Sequence, residues 1–588
     1  MHEIAALLLT LLLVPVASIV PGLWLASRLN WSPTERLYAA VAFSQIILYF
    51  ASAAVYLTGA GNAGAWVVML LACAMLATNL AHLRKLFTHH ATRHTLSALL
   101  TVTLGSLVFM AGIRVYSGGG WGVDWLEHYQ RSRFFAEHWP VRTLLCGYLL
   151  PARPPMMNLV DSLLLMTAGR LSGMSFVVYQ VSMVLLSALV VLPCALWVSL
   201  LRGRLRHHGW LALLAALLLI NPAISNNMTY PWTKLYAAFF ILGSLWFYLR
   251  GWRKNDSKRM IFAVALMAAA CVAHYSAGPY ALLLTVHYLV AVVPKRGWPA
   301  RGQAMREISA GLLVTALLLG SWVGWSIANY GIKATTSSNS SAMENKAMTL
   351  AQSAQSISSN LIASLVPHPL RSSYAHWLES SLTTQRNPLG LVRDYLFTIY
   401  QTTLPASIGS VAGLVVIAWW AWSVLRRAEP APIRRFWAWF IAGGYVLGVA
   451  VHGGHQLPGV AHVCLQPLTL LGLCVIAARA PAWPLTVRVL LVAGALLDLL
   501  AGTLLHLSMQ AFDAGILLGK VGGKAWVTSL DGMPLMAINS ALDMKTMKLT
   551  TLASLLHSQG PTAVILATIV GVLGWYVVAR SLLKPRCK

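Results

Sequence analysis

The sequence predicts an all-α fold: a polytopic helical membrane protein with about 13–15 transmembrane spans, interfacial helices and modest external loops. Three observations predict it. Of 588 residues, 58% are hydrophobic and only 10% charged, whereas an ordinary globular chain is about 25% charged. Apolar runs of about 20 residues, the length that crosses a bilayer core, recur along the whole chain. Basic residues gather in alternate links between those runs. The composition excludes soluble enzymes, disordered chains and collagens. Continuous rather than alternating apolarity excludes an outer-membrane barrel.

Taken in order, fifteen apolar spans are predicted at 4–27, 37–58, 64–82, 95–116, 173–201, 209–226, 235–249, 260–275, 278–294, 308–329, 403–425, 436–452, 458–478, 489–508 and 561–579. No Lys or Arg precedes Arg28, so the first run lacks the basic segment of a secretory signal and reads as a retained span. The chain divides accordingly into N-terminal spans (1–116), an external loop with interfacial helices (117–172) and a transmembrane core (173–329). An external loop (330–402), further spans (403–508), a small external segment (509–560) and a last span with a basic tail (561–588) complete it.

The 43 Lys plus Arg against 16 Asp plus Glu give a net charge of +27, which in a soluble chain would suggest a nucleic-acid partner. Position decides otherwise. The links 28–36, 84–94, 202–208, 250–259, 295–306, 426–435, 479–488 and the tail 580–588 hold 27 of those 43 residues. The positive-inside rule places these links in the cytoplasm, the N-terminus outside and the C-terminus inside, in an inner (plasma) membrane. The basic excess then serves orientation and contact with anionic lipids, and no nucleic-acid partner is expected. Seven scattered Cys form no disulfide framework and no CxxC pair.

Chemistry is therefore sought on the external face. The densest stretch is GGGWGVDWLEHYQRSRFFAEHWPVRTLLCGYLLPARPPMMNLVD, residues 118–161. Asp124, Glu127, His128 and Arg131 fall at i, i+3, i+4 and i+7, one face of a helix. Trp125, Leu126, Phe134, Phe135 and Trp139 supply the apolar side expected of a helix lying in the membrane interface. The bland alternative is that the charges only solvate the upper face. Further on, Pro154 biases Arg153 to an extended backbone, which aims a fixed cation. The polar break Asn226–Lys234 offers Tyr230 and Lys234, with an ordinary polar loop as its alternative. The turn after His274 offers an imidazole for phosphate or sugar, though a lone interfacial His is more often merely hydrogen bonded.

An acidic residue after an outward span, a helix with a His four residues on, a link ending in Trp139-Pro140-Val141, and a basic residue before Pro together resemble the type C (GT-C) glycosyltransferases. The nearest likeness is to the branch of lipid A aminoarabinose transferases and protein O-mannosyltransferases. The likeness covers residues 118–161 and extends through about Pro279. It implies an inverting membrane glycosyltransferase that moves a sugar from a polyprenyl-phosphate donor to an external lipid, glycan or protein acceptor. It also implies Asp124 as base and Arg153 as a phosphate contact. The sequence differs in placing three further spans before Asp124, and in separating Asp124 from Glu127 by Trp125 and Leu126.

Glu127 is accordingly a second catalytic candidate. Arg131, Arg133 and Lys234 join Arg153 as candidates for the donor phosphate, and His128, Tyr230 and His274 are candidate substrate contacts. The sequence establishes no cofactor; a divalent metal ion, held by Glu127 and His128, is the candidate. Two other classes remain open: a lipid-linked sugar flippase or transporter, which would rely on mid-span groups such as Asp498, and an envelope polysaccharide polymerase or ligase, for which Arg371, His376 and Arg393 are slight support. Other signals are discounted. Gly59-Ala60-Gly61-Asn62-Ala63-Gly64 matches GxGxxG but follows a span rather than a strand, and His452, His455 and His462 are loosely spaced for a metal.

Overall fold

The computed structural model describes residues 2–114, 116, 124–202, 209–295, 301–338, 348–366, 396–426, 430–451, 465–511, 549–558 and 560–584. Among these residues there are no strands, only one isolated antiparallel bridge between Leu145 and Tyr148. Nine helices there are long and apolar enough to cross a membrane, or ten if one bent pair counts as a span, and three shorter apolar helices accompany them. The chain is a multi-pass helical membrane protein. Arg371, His376, Arg393, His452, His455 and His462 lie outside the described residues.

Four long helices open the chain: α1 (His2–Ser27), α2 (Pro33–Thr58), α3 (Gly61–Thr88) and α4 (His90–Met110). Ser32 and Glu35 form a reciprocal capping box with Pro33 at the first helical position, which fixes where α2 begins. Gly59, at φ 67°, ends it. The GxGxxG stretch thus supplies a tight turn at Gly59-Ala60 and the first turn of α3. Gly22 lets α1 and α2 touch: a Cβ there would lie 2.1 Å from the Ala40 carbonyl oxygen, and the Gly22 N–H donates to Ser44 Oγ at 2.8 Å. Small residues at such contacts are how helices associate where lipid supplies no hydrophobic drive.

Two of the predicted spans are broken, and each break has a local cause. In the stretch 209–226, Pro222 lacks the N–H that would continue the helix, so Trp210–Ile220 and Pro222–Thr229 meet at 69°. Asn221 seals the joint: its Oδ1 caps Ile224 N at 3.0 Å, and its amide donates to the carbonyls of Ser407 and Ile408 at 3.0 and 3.1 Å. The stretch 403–425 begins as the single turn Leu404–Ile408 and restarts at Ser410 after Gly409, whose φ of 134° suits glycine.

Among the described residues, several links contact links of their own class. Buried Glu35 accepts from Arg259 Nη2 at 3.0 Å and from Trp246 Nε1 at 3.3 Å, with Arg250 Nε 3.8 Å away, so links 28–36 and 250–259 meet. Gln303 donates to the Asn255 carbonyl at 3.3 Å, and Arg488 Nη1 to the Leu582 carbonyl at 2.5 Å, joining further basic links to basic links. The sparsely basic links meet one another instead: His138 with the Tyr56 carbonyl at 2.8 Å, Arg114 with the Ser558 carbonyl at 2.7 Å, and Tyr330 with the Val141 carbonyl.

Candidate active site

Helix α5 (Asp124–Ala136) carries the charged cluster. Its sequence pattern suggested a helix lying between lipid and water, but both faces are buried in protein. Trp125, Leu126, Glu127, His128, Arg131, Phe134 and Phe135 are all packed inside, none more than 3% exposed. The polar face is covered by helix α6 (Met156–Leu164) and by the short turn Leu150–Ala152, so the charges meet partners rather than solvent.

Glu127 and Arg131, one helical turn apart, form a buried pair. Arg131 donates to Glu127 Oε1 through Nε at 2.9 Å and Nη2 at 2.7 Å, then reaches the carbonyls of Leu150 through Nη1 at 2.6 Å and Leu149 through Nη2 at 3.2 Å. Arg131 thereby pins the turn that delivers Arg153. That residue is extended at φ −133°, ψ 141°, as a following proline demands. Arg153 lies between the carboxylates: Nε is 3.6 Å from Glu127 Oε1 and Nη2 is 3.8 Å from Asp124 Oδ1. Both separations exceed a hydrogen bond, and the side chain is 19% exposed.

The second oxygen of Asp124 is held from another part of the chain. Trp232 Nε1 donates to Asp124 Oδ2 at 2.9 Å, and Lys234 Nζ sits 3.2 Å above the centroid of the same indole. Tyr230 packs on Trp232 with ring centroids 4.4 Å apart and on Tyr116 at 5.6 Å. Burial pushes the Asp124 carboxyl up, against the pull of Arg153 and Lys234. Burial opposes ionisation of Glu127 too, but Arg153 and Arg131 together hold it below the usual range. Burial drives the Lys234 ammonium well below its ordinary value, with Asp124 resisting.

The remaining predicted residues fall elsewhere. Arg133, on the other side of α5, forms a bidentate pair with Glu137 at 2.7 and 2.8 Å and lies 5.0 Å from the Trp139 ring centroid, away from Asp124. His128 turns toward α6, with Nδ1 3.4 Å from Asn158 Oδ1, and burial pushes its pKa down to about 3. Asn158 in turn donates to the His128 carbonyl at 2.9 Å and to Ser132 Oγ at 3.1 Å. His274 Nδ1 accepts from Ser276 N at 3.1 Å and shapes its own turn. Its neighbour Tyr275 donates to the Pro151 carbonyl at 2.9 Å, beside Arg153.

Trp232 and Asn158 were not singled out from the sequence. Trp232 had one signal, its place two residues before Lys234 in a polar break; Asn158 had none. The donor set does not suit a divalent metal. Both carboxylates face the Arg153 guanidinium, the His128 ring is engaged with Asn158, and no group of three His, Cys, Asp or Glu side chains converges among the described residues.

No family model and no curated protein matches the chain. Two solved structures do. The crystal structure of ArnT from Cupriavidus metallidurans bound to undecaprenyl phosphate aligns at 16% identity and a TM-score of 0.42, over 82% of this chain and 77% of that one. The apo structure of the same protein aligns at 15% identity and a TM-score of 0.41, over 82% and 76%.

Proposed function

We propose that the chain is an inverting membrane glycosyltransferase which moves a sugar from a polyprenyl-phosphate donor to an acceptor on the external face of the inner membrane. One observation carries the reading most: Arg153 is a partly exposed guanidinium that neither carboxylate brings within hydrogen-bond distance, beside Asp124 and within the field of Lys234. Arg153 therefore keeps its donor fork for a phosphate. The sequence resemblance assigns the same two residues to base and phosphate.

In the proposed reaction, Asp124 takes the proton of an acceptor hydroxyl as its oxygen attacks the anomeric carbon. The bond from that carbon to the phosphate oxygen breaks, and polyprenyl phosphate departs with its charge against Arg153 and Lys234. Docked phosphate opposes the burial that tends to neutralise Lys234 and keeps its ammonium charged. Glu127 and Arg131 hold the turn in place. If the acceptor is itself a phosphate, no base is needed and Asp124 orients the sugar.

Labelled polyprenyl-phosphate sugars in nanodiscs test the phosphate assignment. Arg153→Ala should raise the donor KM about tenfold to a hundredfold, as expected for losing hydrogen bonds to a charged group, and competition by undecaprenyl phosphate should weaken in parallel. An unchanged donor KM in a folded variant would overturn it.

A further inference from the structure

The two oxygens of Asp124 differ in their surroundings. Oδ2 accepts the Trp232 indole N–H at 2.9 Å, whereas among the described residues Oδ1 lies nearest Arg153, at 3.8 Å and beyond hydrogen-bond distance. The indole is itself fixed. It is 1% exposed and is packed by Tyr230 at 4.4 Å and Phe397 at 5.8 Å, with Lys234 Nζ 3.2 Å from its centroid. A ring gripped from several sides aims its single donor in one direction.

We propose that Trp232 is a positioning residue for the transfer reaction: its N–H holds Oδ2 of Asp124 so that Oδ1 is the oxygen that receives the acceptor's proton. The inference rests on Asp124 being the base. A hydrogen bond to an ionised carboxylate also favours the charged form, so Trp232 keeps the base available despite burial. The charged and titratable groups around Asp124 are Arg153 from the 150–153 turn, Glu127 on α5, and Tyr230 and Lys234 from the stretch that carries Trp232. All of these remain when only the indole N–H is removed.

Two changes remove it. Trp232→Phe keeps an aromatic ring for Tyr230 and Lys234. Installing 3-benzothienyl-alanine at 232 keeps the full bicyclic shape with sulfur in place of N–H, so folding is preserved even where Phe leaves a gap. Phe397→Leu is the packing control, since it loosens the same stack without touching the donor. Transfer from a labelled polyprenyl-phosphate sugar is followed against pH for each, alongside Asp124→Asn.

Both donor-less variants should move the acid limb of the transfer rate up by about one pH unit, the size expected when a carboxylate loses one hydrogen bond. Well below the limb the rate then falls about tenfold, and it recovers above it. Phe397→Leu should leave the limb in place. A limb that coincides with wild type in the benzothienyl protein, while Asp124→Asn is inactive, would reduce Trp232 to packing. Wild-type transfer by Asp124→Asn would instead refute the base assignment, and this inference with it.

Discussion

Asp124 and Glu127 stand in the first turn of one helix, yet their partners give them different work. Glu127 is spent on Arg131, and removing one member of such a buried pair strands the other charge, typically at about 3–5 kcal/mol. Glu127→Ala should therefore lower thermal stability in detergent far more than Asp124→Asn, which leaves that pair intact. Equal losses would contradict the division of roles. Asp161 gives a pH prediction of opposite character. Burial pushes its carboxyl up to about 7 while Ser182 Oγ donates to it. Its folded pKa is raised, so the folded state holds the proton that the unfolded state has already lost. The contribution to stability is complete below about pH 4 and declines as pH rises toward the folded value of about 7. Asp161→Asn should stabilise the protein at pH 8 and leave it nearly unchanged at pH 4, as read by thermal unfolding at the two values.

Helices were legible in the sequence because apolar length is a local property, and the described part of each of the fifteen apolar stretches lies mostly in a helix or a broken pair. The breaks were less legible. Pro222 sits inside an apolar run, and what makes its bend stable is Asn221 bonded to carbonyls 186 and 187 residues away. Asn221→Ala removes those bonds and the cap, and should cost about 2–4 kcal/mol in thermal stability. Asp498 shows how an element can mislead. Read from sequence it is a mid-span carboxylate of the kind transporters use; in the structure it accepts from Tyr400 Oη at 3.0 Å and from the Ser410 backbone at 3.0 and 3.2 Å, capping the restarted helix. Asp498→Asn keeps the acceptor for that cap and should retain transfer. A transporter centred on Asp498 would lose function.

At the scale of the whole molecule, the contacts between basic links among the described residues join 28–36 to 250–259, 250–259 to 295–306 and 479–488 to the tail, as in Glu35 with Arg259, 224 residues apart. Charge counting anticipated the grouping but not the partners, because pairing over such separations has no trace in spacing. The same holds at the site: Asp124 and Arg153 were legible from order and type, whereas the bond from Trp232, 108 residues on, was not. If the basic set faces the cytoplasm, an impermeant maleimide added to intact cells should label a Cys placed at exposed Arg142 and spare one at exposed Lys254; the reverse pattern would invert the orientation. The most direct test of the account is transfer of a labelled sugar from purified polyprenyl-phosphate donors by wild type and Asp124→Asn in nanodiscs. The account predicts transfer by wild type and a loss of about 10²–10⁴-fold in the variant. Equal transfer by both proteins would contradict it.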